Sequence, residues 1–125
     1  MAKKITIKAG QLEVKAELND RKTAEAIWKE LPIKGRANLW GDEIYFAIPV
    51  KMGLEKGHEV VQLGDLGYWP TGSAFCIFFG ETPISRKGEI RPASAVTVFG
   101  KVTGDATVFK KVPSGAEVTI SRAEE

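Results

Sequence analysis

The segment from Gly64 to Pro83 sets the tightest limit on what this chain can fold into. Glycines at 64, 67, 72 and 80 and Pro70 punctuate a stretch that also carries Tyr68 and Trp69, and a nearly continuous apolar run follows from Ala74 to Phe79. Glycine permits backbone angles and close approaches that a side chain forbids, and proline fixes one backbone angle. The pattern predicts a tightly turned loop feeding a strand that is covered on both faces. Large rings held near such a loop often line a binding surface.

The rest of the chain reads as short strands around one good helix. Residues 3–8 and 11–18 alternate apolar and polar positions about Ala9-Gly10, a hairpin pattern. Ala24, Ile27, Trp28 and Leu31 share one helical face, with Asp20 or Thr23 available as a cap and Pro32 as a stop. Strands are expected over 36–40 and 43–48 around the tight Trp40-Gly41-Asp42 connection. Val60-Val61 predicts a short strand ending at Gly64, and residues 95–102 another, with Gly100 marking a bulge or a close backbone approach. Residues 105–112 could form one or two helical turns, and 116–121 the last strand. No repeat or linker interrupts 1–125, so one domain is expected. Many short strands with a single good helix predict a mainly β fold, a closed or nearly closed barrel, because closure removes exposed edges.

Composition excludes several functions. The 125 residues carry a net charge of +2, and the basic residues are scattered apart from Lys3-Lys4 and Lys110-Lys111, so no nucleic-acid stripe is present. The single cysteine, Cys76, leaves no internal disulfide and no thiolate cluster. No apolar run is long enough to predict a membrane helix. Met1 leads directly into the first strand pattern without the apolar stretch of a secretory leader, and a cytoplasmic protein is expected. There is no phosphate-binding glycine loop, no nucleophile elbow around Ser73, and no His/Asp/Glu cluster with metal-ligand spacing. No cofactor and no metal are expected. His58 reads as a solvated loop residue and Asp65 as a turn acceptor. Asp42 and Glu43 read either as an acid–base pair or as turn caps that pair with lysines. Cys76 reads as a small buried apolar residue.

Three segments, in order, resemble the cyclophilin fold: Lys22 to Trp28, Gly72 to Ile77, and Val98 to Val102 followed by Gly104 and Lys110-Lys111. A closer resemblance, over nearly the whole chain, is to a small prokaryotic group of cyclophilin-like proteins of unknown function. Trp40 to Phe46, Gly64 to Ala74, Phe78 to Pro83 and Pro92 to Ala95 carry it. The resemblance implies a closed β-barrel with one or two helices capping its ends.

Cyclophilins isomerise the bond before proline with a donating arginine, an apolar pocket and polar residues that grip the backbone. The resemblance aligns that arginine with Phe46, the pocket phenylalanine with Lys51 and the glutamine with Ala74. It aligns the second phenylalanine with Cys76, the tryptophan with Arg91 and the histidine with Val96, while Met52 is kept. Most of the catalytic set is therefore absent, and no catalytic residue is assigned. Losing one donor to a transition state typically costs ~10²–10³ in rate.

The expected function is binding of a proline-containing peptide segment or a small molecule in an aromatic groove. Its candidate residues are Phe46, Met52, Tyr68, Trp69, Thr82 and Pro83, with Phe46 as the central one by its matched position. Tyr68 and Trp69 could instead close one mouth of the barrel. The alternatives are an isomerase with a displaced cation, supplied by Arg36, Lys51 or Arg91, and an oligomer-forming subunit that uses the aromatic loop as its contact. The oligomeric state is not legible from the sequence.

Overall fold

The structure is a computed structural model, and it describes residues 3–123. The hairpin forms as its alternation predicts. Strands β1 (Lys3–Ala9) and β2 (Leu12–Leu18) pair antiparallel about Gly10, whose φ of +62° suits glycine. Helix α1 (Lys22–Glu30) follows and buries Ala24 and Ile27.

Seven more strands complete the sheet among the described residues: β3 (Ile33–Arg36), β4 (Asn38–Leu39), β5 (Glu43–Ala47), β6 (Asp65–Trp69), β7 (Ala74–Phe78), β8 (Thr97–Val102) and β9 (Glu117–Arg122). Their order is β3-β9-β1-β2-β8-β6-β7-β5-β4. β3 comes back against β5 at the seam, where Gly35 leaves room for the Phe46 ring. A Cβ on Gly35 would lie 2.7 Å from that ring, so glycine is what lets the barrel nearly close. Beside α1 stand a 3-10 turn at Pro70–Gly72 and another at Ala106–Lys111, the latter capped by the Asp105 side chain accepting from Thr107 N.

The interior holds Ile5, Ile7, Ile44, Phe46, Phe75, Ile77, Phe99, Phe109 and their neighbours. Phe46 stacks on Phe75 at 5.2 Å between centroids, and Phe75 meets Phe99 edge-on at 5.0 Å. Such pairs add stabilisation beyond the area they bury. A second, smaller cluster lies on the opposite face of β7 and contains Ala74, Cys76, Phe78, Val61 and Val96. Every residue of β7 is buried, as its continuous apolar run predicts. The close approach expected at Gly100 is also present: a Cβ there would lie 2.6 Å from the Glu17 carbonyl of β2.

Four local expectations need correction. Residues 65–69 are not a turned loop but the strand β6, hydrogen-bonded on both sides between β8 and β7. Its glycine is a packing device: a Cβ on Gly67 would come 3.0 Å from both Phe78 and Val96. Val60-Val61 does not form a strand, and only Val61 makes an isolated bridge, to Ile90. The strand expected at 36–40 is split into β3 and the two-residue β4. Neither Asp20 nor Thr23 caps α1. The Glu55 carboxylate, from a distant loop, accepts from Lys22 N and Thr23 N at 3.1 Å each. An anion at a helix N-terminus satisfies donors that the helix itself cannot.

Tyr68 is fully buried, and its ring belongs to the interior cluster. Its hydroxyl donates to the Val50 carbonyl at 2.6 Å and accepts from Met52 N at 3.2 Å, which pins the segment after β5 to the barrel. Replacing Tyr68 by Phe strands both backbone groups and should cost ~1–3 kcal/mol in urea unfolding. Unchanged stability would show that the hydroxyl does not hold this segment.

Candidate functional site

A hollow of about 210 Å³ lies on the outer face of the β5–β7–β6 region. Two of its walls stand across from small residues of the neighbouring strand. Tyr45 on β5 pairs across from Cys76 on β7, and Trp69 on β6 pairs across from Ala74. Two large rings therefore flank two small residues. Trp40 at the β4–β5 turn, Pro92, Ala93 and Val96 complete the walls.

The Trp69 indole is held in place on two sides. Its Nε1–H donates to Ser94 Oγ at 2.6 Å, and its ring lies against Gly72, where a Cβ would come within 2.9 Å. The segment that brings Pro92 and Ala93 to the hollow is tied by a knot of polar bonds. Ser85 Oγ accepts from Thr82 N and from Arg91 N at 2.9 Å each, and Thr82 Oγ1 donates to the Arg91 carbonyl. Pro83 packs against Gly41, whose φ of +60° makes the turn that carries Trp40 and Glu43.

Glu43 is the polar group of the hollow. It begins β5, lines the hollow and is 6% exposed. Its Oε1 has no hydrogen-bond partner. Burial raises its carboxyl from the usual 4.5 to about 7, and the neighbouring Cys76 thiol offsets that rise only in part. Burial, together with the Glu43 charge, pushes the Cys76 thiol well above its ordinary value, so it stays protonated. The two acids of the turn thus part company. Asp42 faces Lys110 at 3.7 Å, as the pairing reading expects, while Glu43 is buried and pairs with no lysine among the described residues.

The structure disperses the other sequence-derived candidates. Phe46, at 1% exposure, is an interior ring and not a groove residue: β5 alternates, and Phe46 falls on the inner face while Glu43 and Tyr45 fall on the outer one. Tyr68 is likewise interior. Met52 is half-buried against the barrel core, and Thr82 and Pro83 support the walls without lining the hollow. Trp69 alone of the six lines it.

Among the displaced cations, Arg36 is exposed and donates to the Gly115 carbonyl at 3.1 Å, and Lys51 is exposed in the segment after β5. Arg91 borders a larger cleft of about 500 Å³ that shares Pro92 and Ala93 with the hollow. Its guanidinium is held by Glu89 at 2.8 Å and lies 4.0 Å from Glu59.

Trp40 and Tyr45 join Glu43 in lining the hollow. The sequence signal was the alternation through Glu43-Ile44-Tyr45-Phe46, which places Glu43 and Tyr45 on one face. Among the described residues no group of three or more His, Cys, Asp or Glu could hold a metal ion, and no helix is long and apolar enough to cross a membrane.

A family model described as cyclophilin-like matches residues 3–121. The solution structure of the hypothetical protein AF2241 from Archaeoglobus fulgidus is 42% identical, with a TM-score of 0.82, and the match covers 98% of this chain and 95% of that one. The structure of McbB in complex with tryptophan is 16% identical, with a TM-score of 0.74, over 97% of this chain and 45% of that one. The second likeness is one of fold alone. No curated protein matches the chain.

The buried carboxyl makes stability depend on pH. Between about 4.5, where Glu43 ionises in the unfolded chain, and about 7 in the folded one, the folded protein holds the extra proton. Stability from this group is therefore complete below about 4.5 and is lost as pH rises through about 7. The size of the loss is about 3 kcal/mol. In urea unfolding, Glu43→Gln should become more stable relative to the parent by this order as pH rises from 4.5 to 8. A difference that does not change with pH would mean that the carboxyl is solvated.

Proposed function

The chain belongs to the cyclophilin-like family, and on that premise we propose that it is a binding barrel rather than an isomerase of the familiar kind. The ligand site is the hollow walled by Trp40, Tyr45, Trp69 and Pro92, with Glu43 as its polar group. The observation that carries this reading is a preformed, mostly apolar space walled by three rings beside one buried carboxyl. Ligand sites commonly combine apolar walls with a few placed polar groups.

Size narrows the ligand. Drug-sized pockets span ~300–1,000 Å³, whereas this one is about 210 Å³. It suits a single ring, either from a small molecule or from one residue of a peptide such as proline. The isomerase alternative needs a cation that donates to the prolyl nitrogen. Arg91 is the candidate nearest the hollow, and its pairing with Glu89 opposes that role.

The test is a titration of labelled protein with a proline-containing tetrapeptide and with single-ring compounds, followed by two-dimensional NMR. Expected are shifts of the Trp69 indole N–H and of Tyr45 without faster cis/trans exchange of the peptide. Trp69→Ala should weaken binding by about tenfold or more and keep a folded spectrum, since single anchoring rings carry much of a site's affinity. Faster exchange that disappears in Arg91→Ala would replace the binding reading with the isomerase one. Absence of shifts, together with a sedimentation change from oligomer to monomer in Trp69→Ala, would assign the aromatic face to subunit contact.

A further inference from the structure

Resting on that reading, we propose that the ligand carries a compact positive charge, a protonated amine or other organic ammonium group, held between the aromatic walls and the Glu43 carboxylate.

Three features of the hollow point to a cation. First, Glu43 Oε1 is a buried acceptor without a donor, on a residue that lines the space a ligand would fill. A buried carboxyl is costly unless paired, so the missing partner is a donor, and a positively charged donor satisfies both the hydrogen bond and the charge. Second, three rings, Trp40, Tyr45 and Trp69, surround that space. Ring faces carry a negative quadrupole and attract cations, more strongly when the cation is desolvated. Third, the neighbouring basic groups are engaged elsewhere. Lys110 faces Asp42, and Arg91 is held by Glu89. An anionic ligand would meet the Glu43 charge with no cation to offset it.

The charges around Glu43 keep the linkage simple. On β7 it meets Cys76, which stays protonated. Tyr45 lies on its own strand, the Asp42–Lys110 pair sits at the adjoining turn, and Arg91 belongs to the segment beyond Pro92. Burial is the main influence on the Glu43 carboxyl, and Cys76 is the other. A cation binds the carboxylate form, so below about 7 binding must expel the Glu43 proton. Affinity for a ligand of constant charge therefore rises with pH and levels off above about 7.

The probes are piperidinium, which stays protonated across the range, and tetrahydropyran, a neutral ring of the same size. Each is titrated into the intact protein at pH 6 and pH 8 and followed at the Trp69 indole N–H. The expected result is tighter binding of piperidinium than of tetrahydropyran at pH 8, with a gain of about tenfold for piperidinium between the two pH values. Glu43→Gln should lose both the gain and the preference. The parent protein's own pH dependence decides the question if that variant folds poorly. Equal binding of the two rings, or binding that ignores pH, overturns the charge while leaving the pocket. No perturbation by either ring overturns the pocket as well.

Discussion

Strand β7 has no face toward water. Phe75 and Ile77 point into the barrel, while Ala74, Cys76 and Phe78 point outward beneath a cover that includes Val61 and Val96. Burial of apolar surface stabilises by ~25 cal/mol per Å², and a strand buried on both sides gains this twice. The outer cover is therefore part of the fold. The site borders that cover: Tyr45 and Trp69, which wall it, pair across from the small outward residues Cys76 and Ala74, and Val96 belongs to both. The barrel interior lies on one side of β7 and the hollow on the other.

Glu43 stands out against that background. Nearly everything packed around β7 is apolar or hydrogen-bonded, yet this carboxyl is buried with one oxygen unpartnered. Its neighbours in the turn show that folding did not require this. Asp42, one residue earlier, stays near the surface opposite Lys110. A group that destabilises the folded chain at neutral pH is more readily understood through what it does for a ligand, since strained or unsatisfied polar groups gather at binding sites.

Much of the architecture was legible because it rests on periodicity. The β1–β2 alternation, the spacing of Ala24, Ile27, Trp28 and Leu31, and the apolar run of β7 each point to one geometry. Other elements depended on contacts between distant residues. Glu55 caps α1 from more than thirty positions away. Gly67 and its neighbours read as loop punctuation, although Gly67 sits in a central strand because Val96 and Phe78 occupy the space of its missing side chain. That misreading carried Tyr68 into the expected groove. The placing of Phe46 there had a different source, a matched position whose facing shifts when alternation along β5 is followed. Of the candidate site, Trp69 was legible in its Gly/Pro setting. Glu43 was legible as an acid but not as a buried one, because two acids after a Gly turn ordinarily face solvent.

The Glu43 carboxyl is buried with one oxygen unpartnered, on a residue that lines the aromatic hollow. The most direct measurement is a carbon-13 NMR titration of the glutamate side-chain carboxyl resonances, with Glu43 assigned by Glu43→Gln. Glu43 is expected to titrate with a midpoint at about 7. A midpoint at the ordinary glutamate value would show a solvated carboxyl and contradict both the site and the charge assigned to its ligand.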